Sequence, residues 1–127
     1  VYGPWGRPDM AMYIFADKIS KNESLPVYNY GKMKRDFTYI DDIINGLLSL
    51  LDAPPQRKNN WDGQVDPSSS QAPFRLYNIG NNSPVNLMDF IGEIEKQLGK
   101  KAIINYKPLQ PGDVVASHAD VQDLSED

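Results

Sequence analysis

The chain contains no cysteine and a single histidine, His118. The missing thiols exclude disulfides, cysteine zinc sites and thiol nucleophiles, and are compatible with a reducing compartment. Long apolar runs are absent too. The richest stretch, Ile43 to Leu51, is interrupted by Asn45, Gly46 and Ser49 and is far too short to cross a bilayer. The first residues lack the charged-then-apolar order of a secretion signal, so no membrane association and a cytoplasmic location are expected. No Gly-x-Gly-x-x-Gly or Gly-x-x-x-x-Gly-Lys loop occurs, which removes the usual phosphate cradles. Positive charge is scarce and dispersed: 13 Lys and Arg stand against 17 Asp and Glu, for a net charge of −4. A grip on nucleic-acid phosphates needs a basic face, so nucleic acid is not an expected partner. His118, between Ser117 and Ala119, reads as a surface or capping residue. On this inventory no catalytic residue and no metal ligand is assigned.

What remains is the composition of an ordinary globular protein, 40% hydrophobic and 24% charged over 127 residues, enough for one domain or a piece of one. Met12, Phe15, Ala16 and Ile19 recur at helical spacing and predict a helix over 10–21. The run Leu25 to Tyr30 is short, β-prone and ends at Gly31, and Arg35 to Ile40 is a second such run. Asp41 is read as the N-cap of a helix that buries Ile43, Ile44, Leu47, Leu48 and Leu51 and stops before Pro54-Pro55. Residues 56–73 are polar and rich in Asn, Asp, Ser and Pro, and are expected to form a long surface loop. Phe74 to Ile79 is predicted as a third strand. Asn86, with Asp89 three residues on, is read as capping a helix that carries Met88, Phe90, Ile91, Ile94 and Leu98 and ends at Gly99. Ala102 to Tyr106 is a fourth strand, followed by the turn Gln110-Pro111-Gly112-Asp113. The fold class is therefore α/β, with short strands and about three main helices, as a single incomplete domain over 1–127. The opening Val1-Tyr2-Gly3-Pro4 and the closing Asp120 to Leu124 both look like cuts through structure, and a fragment is expected.

Three segments carry groups suited to an anionic, hydroxylated ligand. In Tyr2 to Met10, two glycines and two prolines fix a bent loop from which Arg7 projects. A guanidinium there suits bidentate binding of carboxylate or phosphate, though a plain surface arginine fits equally. Pro26-Val27-Tyr28 offers main-chain polar groups and a flat ring, followed by Lys32, Lys34, Arg35 and Asp36, whose cations suit a diphosphate; a solvated hairpin with a basic tip is the alternative. Gln110-Pro111-Gly112-Asp113 presents a carboxylate on a glycine turn, suited to two vicinal hydroxyls, or is simply a turn.

Taken in order, the segments Val1 to Ala11, Tyr30 to Ile43, Tyr77 to Val85 and Pro108 to Val114 resemble the extended short-chain dehydrogenase/reductase family of sugar-nucleotide epimerases and dehydratases. Within that family they are most similar to the branch acting on UDP-glucuronate at C4. The resemblance implies a two-part enzyme whose NAD-binding half carries a glycine-rich turn and a catalytic Tyr-x-x-x-Lys pair; no such turn occurs here, no catalytic pair is assigned, and this chain looks like the carboxy-terminal substrate-binding part. By that resemblance Arg7 holds the sugar carboxylate, the main chain of Pro26 and Tyr28 reads the uracil edge, and Arg35 meets the diphosphate. Gln110 lies near the phosphates where many relatives carry arginine, Asp113 holds the ribose, and Val1 and Tyr2 lie near the nicotinamide of NAD. After Asp113-Val114 the chain reads Val115-Ala116-Ser117-His118, where the family usually shows Pro-Ala-Thr, so no contact is carried over to Ser117. The implied reaction is interconversion of UDP-glucuronate and UDP-galacturonate through a 4-keto sugar with NAD, in a homodimeric full-length enzyme. The fragment alone is expected to be inactive and to self-associate. A UDP-glucuronate decarboxylase or nucleotide-sugar dehydratase of the same family is the near alternative, and a non-catalytic nucleotide-sugar-binding or interaction module is the distant one.

Overall fold

A computed structural model describes residues 1–63 and 66–126. Two residues of the expected 56–73 loop, Gln64 and Val65, thus lie outside the described residues. Helix α1 (Ala11–Ser20) is followed by strand β1 (Ser24–Val27) and a 3-10 turn over Tyr28–Gly31. Then come β2 (Lys34–Arg35), α2 (Ile40–Asp52), β3 (Val85–Asn86), α3 (Leu87–Leu98), β4 (Ile103–Tyr106) and a short α4 (Gln122–Glu126). The described strands form two separate pairs. β1 runs parallel to β4, with Ser24 opposite Ile103 and Val27 opposite Tyr106, and β2 runs antiparallel to β3, with Arg35 opposite Val85.

The core lies where α1 and α3 cover one face of the β1–β4 pair. Leu25 and Val27 alternate inward on β1 and are fully buried, and meet Ile19 of α1 and Ile91 of α3. Phe15, Leu87, Met88, Ile94, Ala102 and Ile104 surround them. Glu95 ties α3 to β4 by accepting hydrogen bonds from Lys101 Nζ (2.7 Å) and the Ala102 N–H (2.8 Å), which hold its carboxyl below the usual range. Gly99 ends α3 at φ 63°, the left-handed conformation that the glycine permits.

Several sequence expectations are corrected. The β-prone run from Leu25 stops at Val27, because Asn29 and Tyr30 adopt positive φ (48° and 53°) and turn the chain; the Asn29 amide donates to the Lys32 carbonyl (2.8 Å) to hold that turn. Of the run Arg35 to Ile40 only Lys34–Arg35 forms a strand. Tyr39, not Asp41, is the N-cap of α2, and the capping group is main chain from elsewhere: the Ile40 N–H donates to the Tyr2 carbonyl (2.9 Å). With that donor satisfied, Asp41 and Asp42 sit inside the first turn, where the helix dipole favours them. Asn86 is at the N-cap of α3, but its amide bonds to the Asp89 carboxylate (2.8 Å) instead of a helix N–H going to its side chain. Phe74 to Ile79 does not form a strand; within it only Arg75 makes an isolated bridge, to Ser69. The apolar side of α2 is the largest departure. It was expected to be buried, yet α2 has no buried residue, and Ile44, Leu47, Leu48 and Leu51 are exposed, Leu51 at 77%. The pattern says which face is apolar and not how much of it another element covers.

Candidate functional site

Arg35 and Asp113, 78 positions apart, are joined at 2.9 Å between Nη2 and Oδ1. β2 makes this possible. On one edge it pairs with β3, and on the other the Lys34 N–H donates to the Val115 carbonyl (2.9 Å) while the Ser117 N–H donates to the Lys34 carbonyl (3.3 Å). The 113–117 segment is thereby laid along β2. Asp113 also closes the Gln110 turn through its N–H to the Gln110 carbonyl (3.1 Å), with Gly112 at φ 82°. Gln110 itself is exposed on that turn.

The Pro26–Tyr28 segment reaches the same region. The Lys107 N–H donates to the Val27 carbonyl (2.8 Å), and the Tyr30 N–H donates to the Lys107 carbonyl (3.1 Å), so the stretch just before Gln110 is clamped beside β1. Successive residues of an extended strand direct their main-chain groups to opposite edges. Val27 faces β4, so the Pro26 carbonyl and the Tyr28 N–H face the other edge, which no described strand occupies. Proline has no N–H to offer, and Pro26 contributes an acceptor alone.

Arg7 stands apart from this cluster. Its Nε meets Asp9 Oδ1 at 3.3 Å, and both side chains are largely exposed, at 79% and 68%. Such a pair is easily broken by a competing anion. The loop that carries it is firmly built underneath. The Tyr13 hydroxyl donates to the Gly3 carbonyl (3.1 Å), and the Gly6 N–H donates to the same carbonyl (3.2 Å). A side chain at Gly3 would meet Ile40 Cγ2 at 2.5 Å and would also have to adopt φ 147°.

Tyr2 is held from both sides, its N–H donating to the Thr38 carbonyl (2.9 Å) and its ring lying edge-on to those of Phe37 and Tyr39. Val1 is exposed. Both main-chain groups of Tyr2 are committed, its N–H to Thr38 and its carbonyl to Ile40, and the sequence has no glycine-rich loop of the kind that cradles a dinucleotide diphosphate.

Two features escaped the sequence reading. Asp36 accepts the N–H groups of Asn82 (3.1 Å) and Ser83 (3.2 Å), so Arg35, at the end of β2, and Asp36, just beyond it, hold two different loops, the 113 turn and the 80–83 turn. The run Arg35-Asp36 before a β-prone segment was the available signal. Trp5 is fully exposed at φ 65°, beside Arg7. His118 is exposed and bonded to the Asn82 amide oxygen (2.6 Å), in keeping with a surface role. Among the described residues no group of three or more metal-ligating side chains occurs, and no helix is long and apolar enough to cross a membrane.

Comparison with known proteins bears on this arrangement directly. The profile of the NAD dependent epimerase/dehydratase family matches residues 1–80. The chain belongs to that family. It is 52% identical over its whole length to Protein CapI of Staphylococcus aureus, of which it spans 38%, and 45% identical over 94% of its length to a probable UDP-glucuronate 4-epimerase of Rhizobium meliloti, of which it spans 36%. Among solved structures, UDP-glucuronic acid 4-epimerase from Bacillus cereus with UDP-glucuronic acid and NAD superposes with a TM-score of 0.75 at 31% identity, over 98% of this chain and 35% of that one. The mixed α/β architecture is that of the carboxy-terminal portion of these extended epimerases, and the family is NAD-dependent. The chain thus spans little more than a third of the relatives it matches.

Proposed function

We propose that residues 1–127 form the nucleotide-sugar-binding part of an NAD-dependent UDP-glucuronate 4-epimerase. The Arg35–Asp113 junction carries this reading, because it places a fixed cation and a carboxylate side by side, as a diphosphate next to a ribose requires. The unpaired edge of β1 at Pro26, with the Tyr28 N–H that follows it, takes the planar uracil, and Asp113 takes the ribose hydroxyls. Arg35 takes the diphosphate, with Gln110 donating nearby. The B. cereus neighbour, solved with UDP-glucuronic acid and NAD, supports the ligand class.

Arg7 binds the sugar carboxylate in this scheme. The reaction needs the substrate C4 oxidised and re-reduced on the opposite face; NAD supplies that hydride chemistry when bound, with Val1 and Tyr2 at its rim. The hazard is chemical, because a 4-keto uronic acid is a β-keto acid and loses carbon dioxide when its carboxylate C–C bond aligns with the carbonyl π system. An arginine on a rigid loop can hold the carboxylate away from that alignment. The Tyr-x-x-x-Lys spacing occurs at Tyr28/Lys32 and at Tyr30/Lys34, but across the turn in which Asn29 and Tyr30 adopt positive φ and not along a helix, where residues four apart share a face; neither is read as the family's catalytic pair, and these 127 residues alone are expected to turn nothing over.

The test is proton NMR of UDP-glucuronic acid incubated with NAD and the protein as its own cell makes it. New galacturonate signals are expected. UDP-xylose would instead identify a decarboxylase and refute the Arg7 assignment, and an unchanged spectrum from folded protein would favour a non-catalytic binding module. Arg7→Ala is expected to reduce turnover of UDP-glucuronate far more than that of a neutral UDP-hexose, and equal losses would sink the carboxylate role.

A further inference from the structure

We propose that Asp113 is a positioning residue for the Arg35 guanidinium, so that one carboxylate both receives the ribose and aims the cation that receives the diphosphate. The inference rests on the nucleotide-sugar reading above and deepens it. It starts from how the donors of Arg35 are used. A guanidinium has five N–H groups in one plane. Nη1 donates to the carbonyls of Lys34 (2.8 Å) and Val115 (3.4 Å), and Nη2 donates to Asp113 Oδ1 (2.9 Å). Both terminal nitrogens are thus engaged, Nη1 by two acceptors and Nη2 by one. The Nε N–H and one N–H of Nη2 have no acceptor among the described residues. One planar fork with two parallel N–H groups is what a phosphate accepts best.

Asp113 is divided in the same way. Its Oδ1 accepts from Arg35 and from the Val114 N–H (2.8 Å), whereas Oδ2 accepts from no described residue and is available to hydroxyls. Both side chains are about one-third exposed, at 29% and 31%, so a ligand reaches the two free faces without breaking the pair. The pair therefore does not compete with the ligand. It fixes the guanidinium before the ligand arrives and lowers the ordering cost of binding.

The test compares UDP with uridine, which lacks phosphate, by titration calorimetry on the protein as its own cell makes it. If Asp113 only held the ribose, Asp113→Ala would weaken both ligands by the same factor. With the positioning role, the loss for UDP is expected to exceed that for uridine by about tenfold. Asp113→Asn keeps an oxygen for Arg35 and is expected to recover much of that excess. Arg35→Lys added to Asp113→Ala is expected to add little, because the fork is already misdirected. Equal losses for the two ligands, or tighter UDP binding after Asp113→Ala, would overturn the proposal. A readout without ligand separates this from the reading beneath it: nitrogen-15 NMR of the Arg35 Nη groups. Slow rotation about Cζ–Nη that becomes fast in Asp113→Ala supports positioning, and rotation equally fast in both proteins overturns it. Failure of the unsubstituted protein to bind UDP at all would instead refute the nucleotide-sugar reading.

Discussion

α2 and α3 are helices of similar length with equally clear apolar stripes, yet α3 is packed and α2 is bare. Ile91 on α3 is buried at 1% exposure against Ile19, Leu25 and Val27, while Leu48 on α2 stands at 54%. α3 has the β1–β4 pair beneath it and α1 beside it. α2 is anchored mainly at its start, through Tyr2, and touches Ile79 and Leu124 near Gly46. The contrast teaches that helical periodicity records an apolar face and says nothing about the element that covers it.

Truncation sharpens the comparison most strongly. Ile91→Ala leaves a cavity in a closed cluster and is expected to cost about 2–5 kcal/mol. Leu48→Ala removes a side chain already half in water and is expected to cost about 1 kcal/mol or less. Urea unfolding of the two variants measures both, and equal losses would mean that the α2 face is covered in solution. The covering element can be a second copy. An apolar stripe with Ile44, Leu47, Leu48 and Leu51 exposed drives association, so we expect the 127-residue chain to self-associate at micromolar concentration. Leu47→Glu with Leu51→Glu is expected to weaken that association by roughly tenfold or more, read by sedimentation velocity. A chain that is monomeric before the substitutions would break this side of the comparison.

Between α2 and α3 in the chain lies the 80–83 turn, which the Asp36 carboxylate holds next to β2. Asp36→Ala leaves two main-chain N–H groups to water or to nothing and is expected to cost about 1–3 kcal/mol. Hydrogen exchange should show Asn82 and Ser83 losing protection while the amides of α3 keep theirs. Loss spread evenly over both would mean that Asp36 is not a local seam.

How far the sequence reached follows the same division. α1, α3 and the start of β1 were legible because local periodicity and capping agree with what packs on them. The glycine stop of α3 was legible because only a left-handed residue ends the helix there. The N-cap of α2 was not, since its capping group is the carbonyl of Tyr2, 38 positions earlier than Ile40. Phe74 to Ile79 has strand composition, but a strand needs a partner, and composition does not supply one. At the candidate site, Arg35 and Asp113 were each legible as residue types on turns. Their bond was not, because it depends on the 113–117 segment lying along β2.

The smallest expected effect concerns the loop over 56–73, which belongs to neither region. It has no helix or strand among its described residues, but Asp66 organises it. The carboxylate accepts from Lys58 Nζ (2.8 Å) and from the hydroxyls of Ser68 (2.5 Å) and Ser69 (2.6 Å). Lys58 first, then the two serines, hold the Asp66 carboxyl well below the usual carboxylate range. A carboxyl depressed in the folded state stabilises the loop above the ordinary aspartate pKa of about 4, and that contribution fades as pH falls toward the folded value. The loop should therefore stay ordered at pH 5 and loosen progressively in stronger acid. Trp61 reports it, because its indole N–H donates to the Asp66 carbonyl (2.8 Å), and Trp5, already fully exposed, contributes a constant background. A red shift of Trp61 emission is expected only in strong acid for the unsubstituted chain and already at neutral pH for Asp66→Asn. The same emission at neutral pH in both would show that the Lys58 and serine contacts, and not the charge they stabilise, hold the loop together.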